Sequence, residues 1–369
     1  MTMLAAAAVA DSDFVALDPA RFRAEIDSKK VELYTLKNSH GMIVRITNLG
    51  AKIEQVLVPD RNGKLGDVVL GYESIEQVRT GLPSAGAFIG RYTNRIASGK
   101  FILDGKSYQL ALNNGPNSLH GGEKGSRFVV FDAVQRDPAS VEMYYTFKDG
   151  EENYPGNLAT TVIYAVTDDN ELSISWSAVT DKRTIAAFTG HAFFNLAGAG
   201  TGTILNHLLM INADFFTPVN AILIPTGEFK SVTGTPFDFT KPTAIGARIG
   251  AADEQLKFGN GYDHNYVLNK AAPGELSLAA RIMDPTSGRI MEVSTTEPGM
   301  QFFSGNNLEG KPPRDVGKGN KPYNFRDAFC VEPQRFPDSP NQPSFPSPVV
   351  EPGKPYTGKI VYKFSVAKS

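Results

Sequence analysis

The chain has 369 residues, with 37 Lys and Arg against 39 Asp and Glu, for a formal charge of −2. That balance lacks the basic excess of a nucleic-acid protein and offers nothing for docking on an anionic membrane, and no run of about 18 apolar residues could span one. A single cysteine, Cys330, excludes an intramolecular disulfide framework and any cysteine-cluster metal centre.

Residues 4–10, L-A-A-A-A-V-A, end like the cleavage site of a secretory signal, yet the run is short and no positive charge precedes it. A truncated signal peptide and a disordered leader are both open readings, and with them a periplasmic or cytoplasmic location. Residues 18–27 predict a short helix, with Asp18 as N-cap and Pro19 at its first position. Residues 1–30 thus read as a leader plus one helix.

From residue 31 the pattern becomes that of strands. Residues 31–50 predict two strands joined by a turn around 38–41, and K-I-E-Q-V-L-V-P (52–59) predicts a third, ended by Pro59 and the turn D-R-N-G. Strand-like runs continue at 101–110, 127–134, 141–147, 159–166, 171–179 and 207–213. The last are at 276–284, 290–296, 300–305 and 358–366. Turn dipeptides such as Asp104-Gly105, Asp149-Gly150 and Ser287-Gly288 punctuate them. Many short strands with regular turns predict an all-β fold, a large antiparallel β-sandwich or barrel. No low-complexity linker interrupts them, so 31–369 is expected to be a single catalytic domain. The segments 311–325 and 337–348 are rich in Pro, Gly and Asn and are expected to be loops beside a site.

Five histidines are few enough to weigh singly. His40 sits in a turn and His207 opens an apolar run, which favours structural roles. His120 lies in a glycine-rich loop, N-S-L-H-G-G, where backbone can approach a ligand. His191 lies in T-G-H-A-F-F-N-L and His264 beside Asp263. No H-x-x-x-H spacing, phosphate-binding loop or G-x-S-x-G elbow is present, so no metal and no cofactor are expected. Cys330, within A-F-C-V, reads as a small buried hydrophobe. Glu297 and Glu332 each end an apolar strand just before a proline turn, where burial would raise a carboxyl pKa toward the range of a general base. The residues alone do not separate the two acids. Arg91 and Arg95, four apart in G-R-Y-T-N-R-I, would share one face of a strand, as a ligand fork or as a structural ion pair.

Six segments together resemble the aldose 1-epimerases, also called galactose mutarotases. They are G-R-Y-T-N-R-I (90–96), N-S-L-H-G-G (117–122), H-A-F-F-N-L (191–196), G-Y-D-H-N-Y (261–266), T-T-E-P-G-M-Q-F-F-S-G-N (295–306) and C-V-E-P-Q-R-F-P-D-S-P-N (330–341). The resemblance implies a large β-sandwich with a cleft for a monosaccharide, and neither cofactor nor metal. By position it implies Glu332 as general base and His191 as general acid. It implies His120, Asp263, Asn94, Arg95 and Gln301 as sugar-holding residues, and gives Glu297 no proton-transfer role. Two departures stand out: Gly190 where the family usually has Asn, and Phe193 where it usually has Tyr. Either could alter how His191 is oriented or which sugars fit.

The implied chemistry is anomer interconversion of free hexoses such as D-galactose and D-glucose. A base takes the C1 hydroxyl proton, an acid protonates the ring oxygen, and the open aldehyde rotates before closing again. Two groups on opposite sides of the ring would serve, with Phe193, Phe194, Phe302 and Phe303 available as an aromatic wall. The expected partner is a monosaccharide, not nucleic acid or membrane, for a monomer or homodimer. An epimerase of a sugar phosphate and a non-catalytic carbohydrate-binding protein are the alternatives.

Overall fold

The computed structural model describes residues 14–367, so the Ala-rich leader lies outside the described residues. Short apolar–polar alternation produces strands throughout. In Leu158–Val166 and Glu171–Thr180 every second residue is buried, and the register pairs Val162 with Trp176 and Tyr164 with Ile174. Each such fully buried side chain contributes roughly 1.5–3 kcal/mol.

These two strands belong to a nine-stranded antiparallel sheet. From one edge, its first five strands are Asp132–Asp137, Ser140–Phe147, Leu158–Val166, Glu171–Thr180 and Tyr356–Val366. Arg289–Thr295, Ser277–Met283, Leu208–Ile211 and Thr243–Ala244 complete it. A four-stranded sheet of Leu33–Lys37, Ile43–Thr47, Lys52–Pro59 and Leu65–Asp67 packs on it, and the Tyr164 hydroxyl donates to Ala51 O across the interface. A five-stranded sheet completes the architecture: Lys230–Ser231, Phe215–Thr217, Asp263–Val267, Gly299–Phe303 and Cys330–Gln334. One hydrophobic core joins all three, from Leu36 and Val58 through Trp176 and Tyr266 to Phe364. The fold is the expected all-β sandwich of antiparallel sheets.

Several local expectations need correction. The helix expected over 18–27 is a single 3-10 turn, Pro19–Phe22, with Asp18 capping Ala20 N as foreseen. Asp27 and Ser28 then both take positive φ, the geometry of a two-residue hairpin turn, and Ala24–Ile26 pairs with Lys29–Val31. The run 101–110 is a hairpin about Asp104-Gly105 rather than one strand. The run 127–134 becomes a strand only at Asp132, because Ser126 is held by Phe88 O and Gly90 O and bends Ser126–Phe128 into a 3-10 turn. Two short helices, Ile75–Thr80 and Glu254–Gly259, were not foreseen: six residues are too few for a helical period to register. Among the described residues no helix is long and apolar enough to cross a membrane.

Candidate active site

Three strands of the five-stranded sheet set side chains in rows. Residues two apart on a strand share a face, so Cys330, Glu332 and Gln334 point one way. The register aligns Asn265, Gln301 and Glu332 across the sheet, with Asp263 opposite Phe303. Facing them, Thr189–His191 pairs with Ala87–Ile89 and ends at the His191 imidazole. His120 comes from a third direction. It has φ +53, and its backbone N–H donates to Asn94 O (3.0 Å). In return Asn94 N–H donates to His120 Nδ1 (3.2 Å). This clip also fixes Asn94, at φ +60, and the adjoining Arg95.

These elements enclose a cavity of about 460 Å³ whose lining includes Asn94, Arg95, His120, His191, Asp263 and Glu332. Six of the seven residues named from the sequence therefore converge on one space. The seventh, Gln301, stands one step back: its Nε2 donates to Asp263 Oδ1 at 2.6 Å. Arg95 lies beside them, with Nε donating to Asn114 Oδ1 (3.0 Å) and Nη1 3.7 Å from Asp263 Oδ2. Phe193 stacks on His191 with ring centroids 5.2 Å apart, and Phe303 meets Phe193 edge-on. Both line the cavity, whereas Phe194 and Phe302 are wholly in the core.

The central pair is His191 and Glu332. His191 Nε2 lies 3.5 Å from Glu332 Oε2, and both residues are buried. The two groups sit side by side, not on opposite sides of a ring site as expected. Burial pushes the Glu332 carboxyl well above the ordinary range; the Asp263 charge adds to this and Arg95 opposes it. Burial also lowers the His191 imidazole, to about 4, with the Arg127 charge acting in the same direction. His120 is lowered well below its ordinary value by burial, then by His191, Arg127 and Arg95. Cys330, fully buried as expected, places Sγ 3.6 Å from His191 Nδ1.

His120, His191 and Glu332 each offer one donor atom, all within 4.8 Å of one another, a cluster that sequence spacing did not reveal. The His120 tautomer bears on its use. Because Nδ1 accepts the Asn94 N–H, Nε2 of the neutral ring carries the proton and is a hydrogen-bond donor. Ligating a metal through Nε2 would take away the acceptor of Asn94.

The other sequence candidates fall elsewhere. Glu297 is buried and raised to about 7, the shift foreseen for both acids. It lies outside the cavity, accepting from the Tyr356 hydroxyl at 3.2 Å. Arg91 and Arg95 do not share a face, because the chain turns between them at Asn94. Arg91 is buried, donating to Pro155 O (2.6 Å) and Thr184 Oγ1 (2.7 Å), neutral acceptors rather than an ion-pair partner. His207 Nε2 accepts Leu196 N–H at 3.0 Å, His40 Nδ1 is 2.6 Å from Asp168 O, and His264 packs on Phe237. A Cβ at Gly190 would sit 2.7 Å from Ile174 Cδ1 and 3.4 Å from the Tyr362 hydroxyl. Position 190 thus faces the core and cannot reach the cavity, while Phe193 touches His191 directly. Arg127, Asn114, Asn306 and Arg314 also line the cavity; Asn114 and Asn306 stand on loops without periodicity, and Arg127 on a 3-10 turn in a run read as a strand.

Gly121 carries a further prediction. It has φ +80, and a Cβ there would collide with the Gly90 carbonyl. Gly121→Ala should destabilise the fold by roughly 2–3 kcal/mol through strain and steric overlap, measured by urea unfolding. Because His120 is the preceding residue, sugar binding should weaken in the same variant.

The chain is similar to known proteins over most of its length. The family model described as aldose 1-epimerase matches residues 32–363. The chain is 43% identical over 341 residues to galactose mutarotase of Bos taurus, covering 91% of this chain and 95% of that one. It is 36% identical over 340 residues to aldose 1-epimerase of Escherichia coli strain K12, covering 92% and 96%. Among solved structures, the GalM/aldose epimerase homologue of C. elegans superposes with a TM-score of 0.84 at 31% identity, covering 92% and 100%. Galactose 1-epimerase of Lactobacillus acidophilus gives 0.80 at 28% identity, covering 94% and 98%. With a family match that spans nearly all the described strands, and the six motifs gathered around one cavity, the chain belongs to the aldose 1-epimerase family.

Proposed function

We propose that this protein is an aldose 1-epimerase that interconverts the α and β anomers of free hexoses such as D-galactose and D-glucose. Residues 31–369 act as one catalytic unit in this reading, which the continuous core from Leu36 to Phe364 supports. The observation that carries it is the His191–Glu332 contact, an acid–base pair 3.5 Å apart at the cavity wall. The hydroxyl oxygen and the ring oxygen of a pyranose hang on the same carbon, C1. Two proton-transfer groups for those oxygens must therefore be neighbours, as these are.

Glu332 takes the C1 hydroxyl proton while His191 Nε2 gives its proton to the ring oxygen, and the bond from C1 to the ring oxygen breaks. The aldehyde rotates about C1–C2. On closure His191 recovers a proton from the C5 hydroxyl and Glu332 returns one to the carbonyl oxygen. The pair carries one proton throughout. Asp263, Arg95, Asn94 and His120 hold sugar hydroxyls, Gln301 holds Asp263, and Phe193 with Phe303 meets the apolar ring face.

That proton count fixes the sign of the pH dependence. Burial favours neutral His191 and protonated Glu332, the same single proton placed on the other partner, and that proton passes across the 3.5 Å contact to His191 before Glu332 acts as base. Acid adds a second proton, on His191, as the pH falls toward about 4. Alkali removes the only proton, from Glu332, whose pKa lies well above the usual carboxylate range. Polarimetry on fresh α-D-galactose or α-D-glucose, with the spontaneous rate subtracted, should show catalysis and a bell-shaped kcat/KM. No acceleration of either sugar would overturn the proposed function. An alkaline plateau without decline would overturn the one-proton pair.

A further inference from the structure

Arg127 is a cavity residue with no task in the mechanism above. The turn Ser126–Phe128 is pinned by Ser126 Oγ, which donates to Phe88 O at 2.6 Å and Gly90 O at 3.1 Å. Arg127 is therefore held in place, 7% exposed, on the cavity wall. Its Nη2 donates to Gly122 O at 3.1 Å, and its Nε has no partner. Among the described residues no carboxylate lies within ion-pair distance of it. The acid whose charge reaches it, Glu152, already accepts from Glu123 N (3.1 Å) and Lys124 N (2.8 Å).

Buried charges in proteins are ordinarily paired, because an unpaired one forfeits its hydration without return. The other two cavity arginines are engaged: Arg95 with Asn114 and Asp263, and the more exposed Arg314 with Asp315 (3.2 Å) and Asn307 O (2.9 Å). Arg91 is buried without an ion pair too, but outside the cavity; of the cavity arginines Arg127, which otherwise packs on the Phe128 ring at 4.9 Å, is the one left for a ligand.

Sugar connectivity says which part of a ligand arrives there. With Glu332 at the C1 hydroxyl and His191 at the ring oxygen, C5 lies beyond that oxygen on the His191 side, and C6 hangs on C5. Arg127 Nη2 is tied to Gly122 O, two residues beyond His120, whose ring centroid lies 5.1 Å from that of His191, which places Arg127 on the same side. We propose that Arg127 is the recognition site for an anionic group at C6, and that the substrates include aldohexuronates, sugars whose C6 is a carboxylate. A planar carboxylate of single charge suits one guanidinium fork; a phosphate dianion would call for a second free cation. The carboxylate takes no part in bond making, and the ring opens and closes as for a neutral hexose. The inference rests on the proposed epimerase activity.

The test measures anomer exchange by NMR magnetisation transfer at equilibrium, for D-galactose, D-galacturonate and D-galactose 6-phosphate. The wild-type protein should process galacturonate with kcat/KM at least equal to that for galactose. In Arg127→Gln the galacturonate-to-galactose ratio should fall roughly tenfold to a hundredfold, as for a lost charge-assisted hydrogen bond, and Arg127→Lys should restore part of it. Should the variants fail to fold, the wild-type protein alone still decides: methyl α-D-galactosiduronate, which cannot open, should inhibit galactose exchange at lower concentration than methyl α-D-galactoside. Galactose turned over without galacturonate, an unchanged ratio in Arg127→Gln, or equal inhibition by the two glycosides would overturn the proposal. Preference for the 6-phosphate would replace carboxylate by phosphate recognition and overturn it as stated. Failure with galactose itself would instead sink the epimerase reading, and this inference with it.

Discussion

Glu332→Gln is expected to lower kcat for galactose by roughly 10²-fold or more while galactose still binds. The amide keeps the shape of the side chain and still hydrogen-bonds a C1 hydroxyl, but it has no proton affinity near neutral pH. Glu332 is buried on Cys330–Gln334, the edge strand of its sheet, where its register partner is Gln301, which leaves the variant little room to adjust. Glu297→Gln is the matched control. That acid is also buried and also raised, yet it faces the Tyr356 hydroxyl at 3.2 Å, away from the cavity. Its replacement should leave turnover largely intact and cost at most some stability. Both variants would be shown folded by circular dichroism, then compared by polarimetry and by sugar titration. A dead Glu297→Gln beside an active Glu332→Gln would reverse the assignment. Two active variants would remove the carboxylate base from the mechanism.

His191→Ala should lower kcat by roughly 10²–10⁴-fold. It deletes the imidazole 3.5 Å from Glu332 and leaves Phe193 without the ring it stacks on. His120→Ala is the informative contrast, because its Nε2–H is a hydrogen-bond donor and the mechanism asks no proton transfer of it. Its effect should fall mainly on KM, by the amount of a lost ligand contact, with a smaller change in kcat. Steady-state polarimetry over a range of galactose concentrations separates the two. If His191→Ala turned over near the normal rate, the acid assignment would fail.

How much was legible in advance depended on what each signal encodes. Alternation is local, so K-I-E-Q-V-L-V-P was read residue for residue as Lys52–Pro59, and Leu158–Val166 and Glu171–Thr180 within one residue at each end. Strands of two or three residues, such as Thr189–His191 and Arg95–Ile96, are too short to carry a period, and they deliver two of the cavity's side chains. Arg91 and Arg95 show the same limit: spacing four presupposes an unbroken strand, and Asn94 at φ +60 breaks it. Physics alone tied Glu297 with Glu332, and both proved buried and raised. What separates them is which faces the cavity, a fact of tertiary packing that only motif resemblance could anticipate. Arg127 was overlooked because its run looked like a strand, while the Ser126 hydroxyl turns it.

The last strand, Tyr356–Val366, is not at an edge. It lies between Glu171–Thr180 and Arg289–Thr295, hydrogen-bonded to both, at the middle of the nine-stranded sheet. Without this strand the large sheet would be two open halves, each exposing an unpaired backbone edge. Closure joins residues nearly two hundred positions apart, a loop whose entropy must be lost before the new pairing rewards it. Docking of Tyr356–Val366 thus completes the sheet, and a chain in which it has not docked is the form most open to edge-to-edge association.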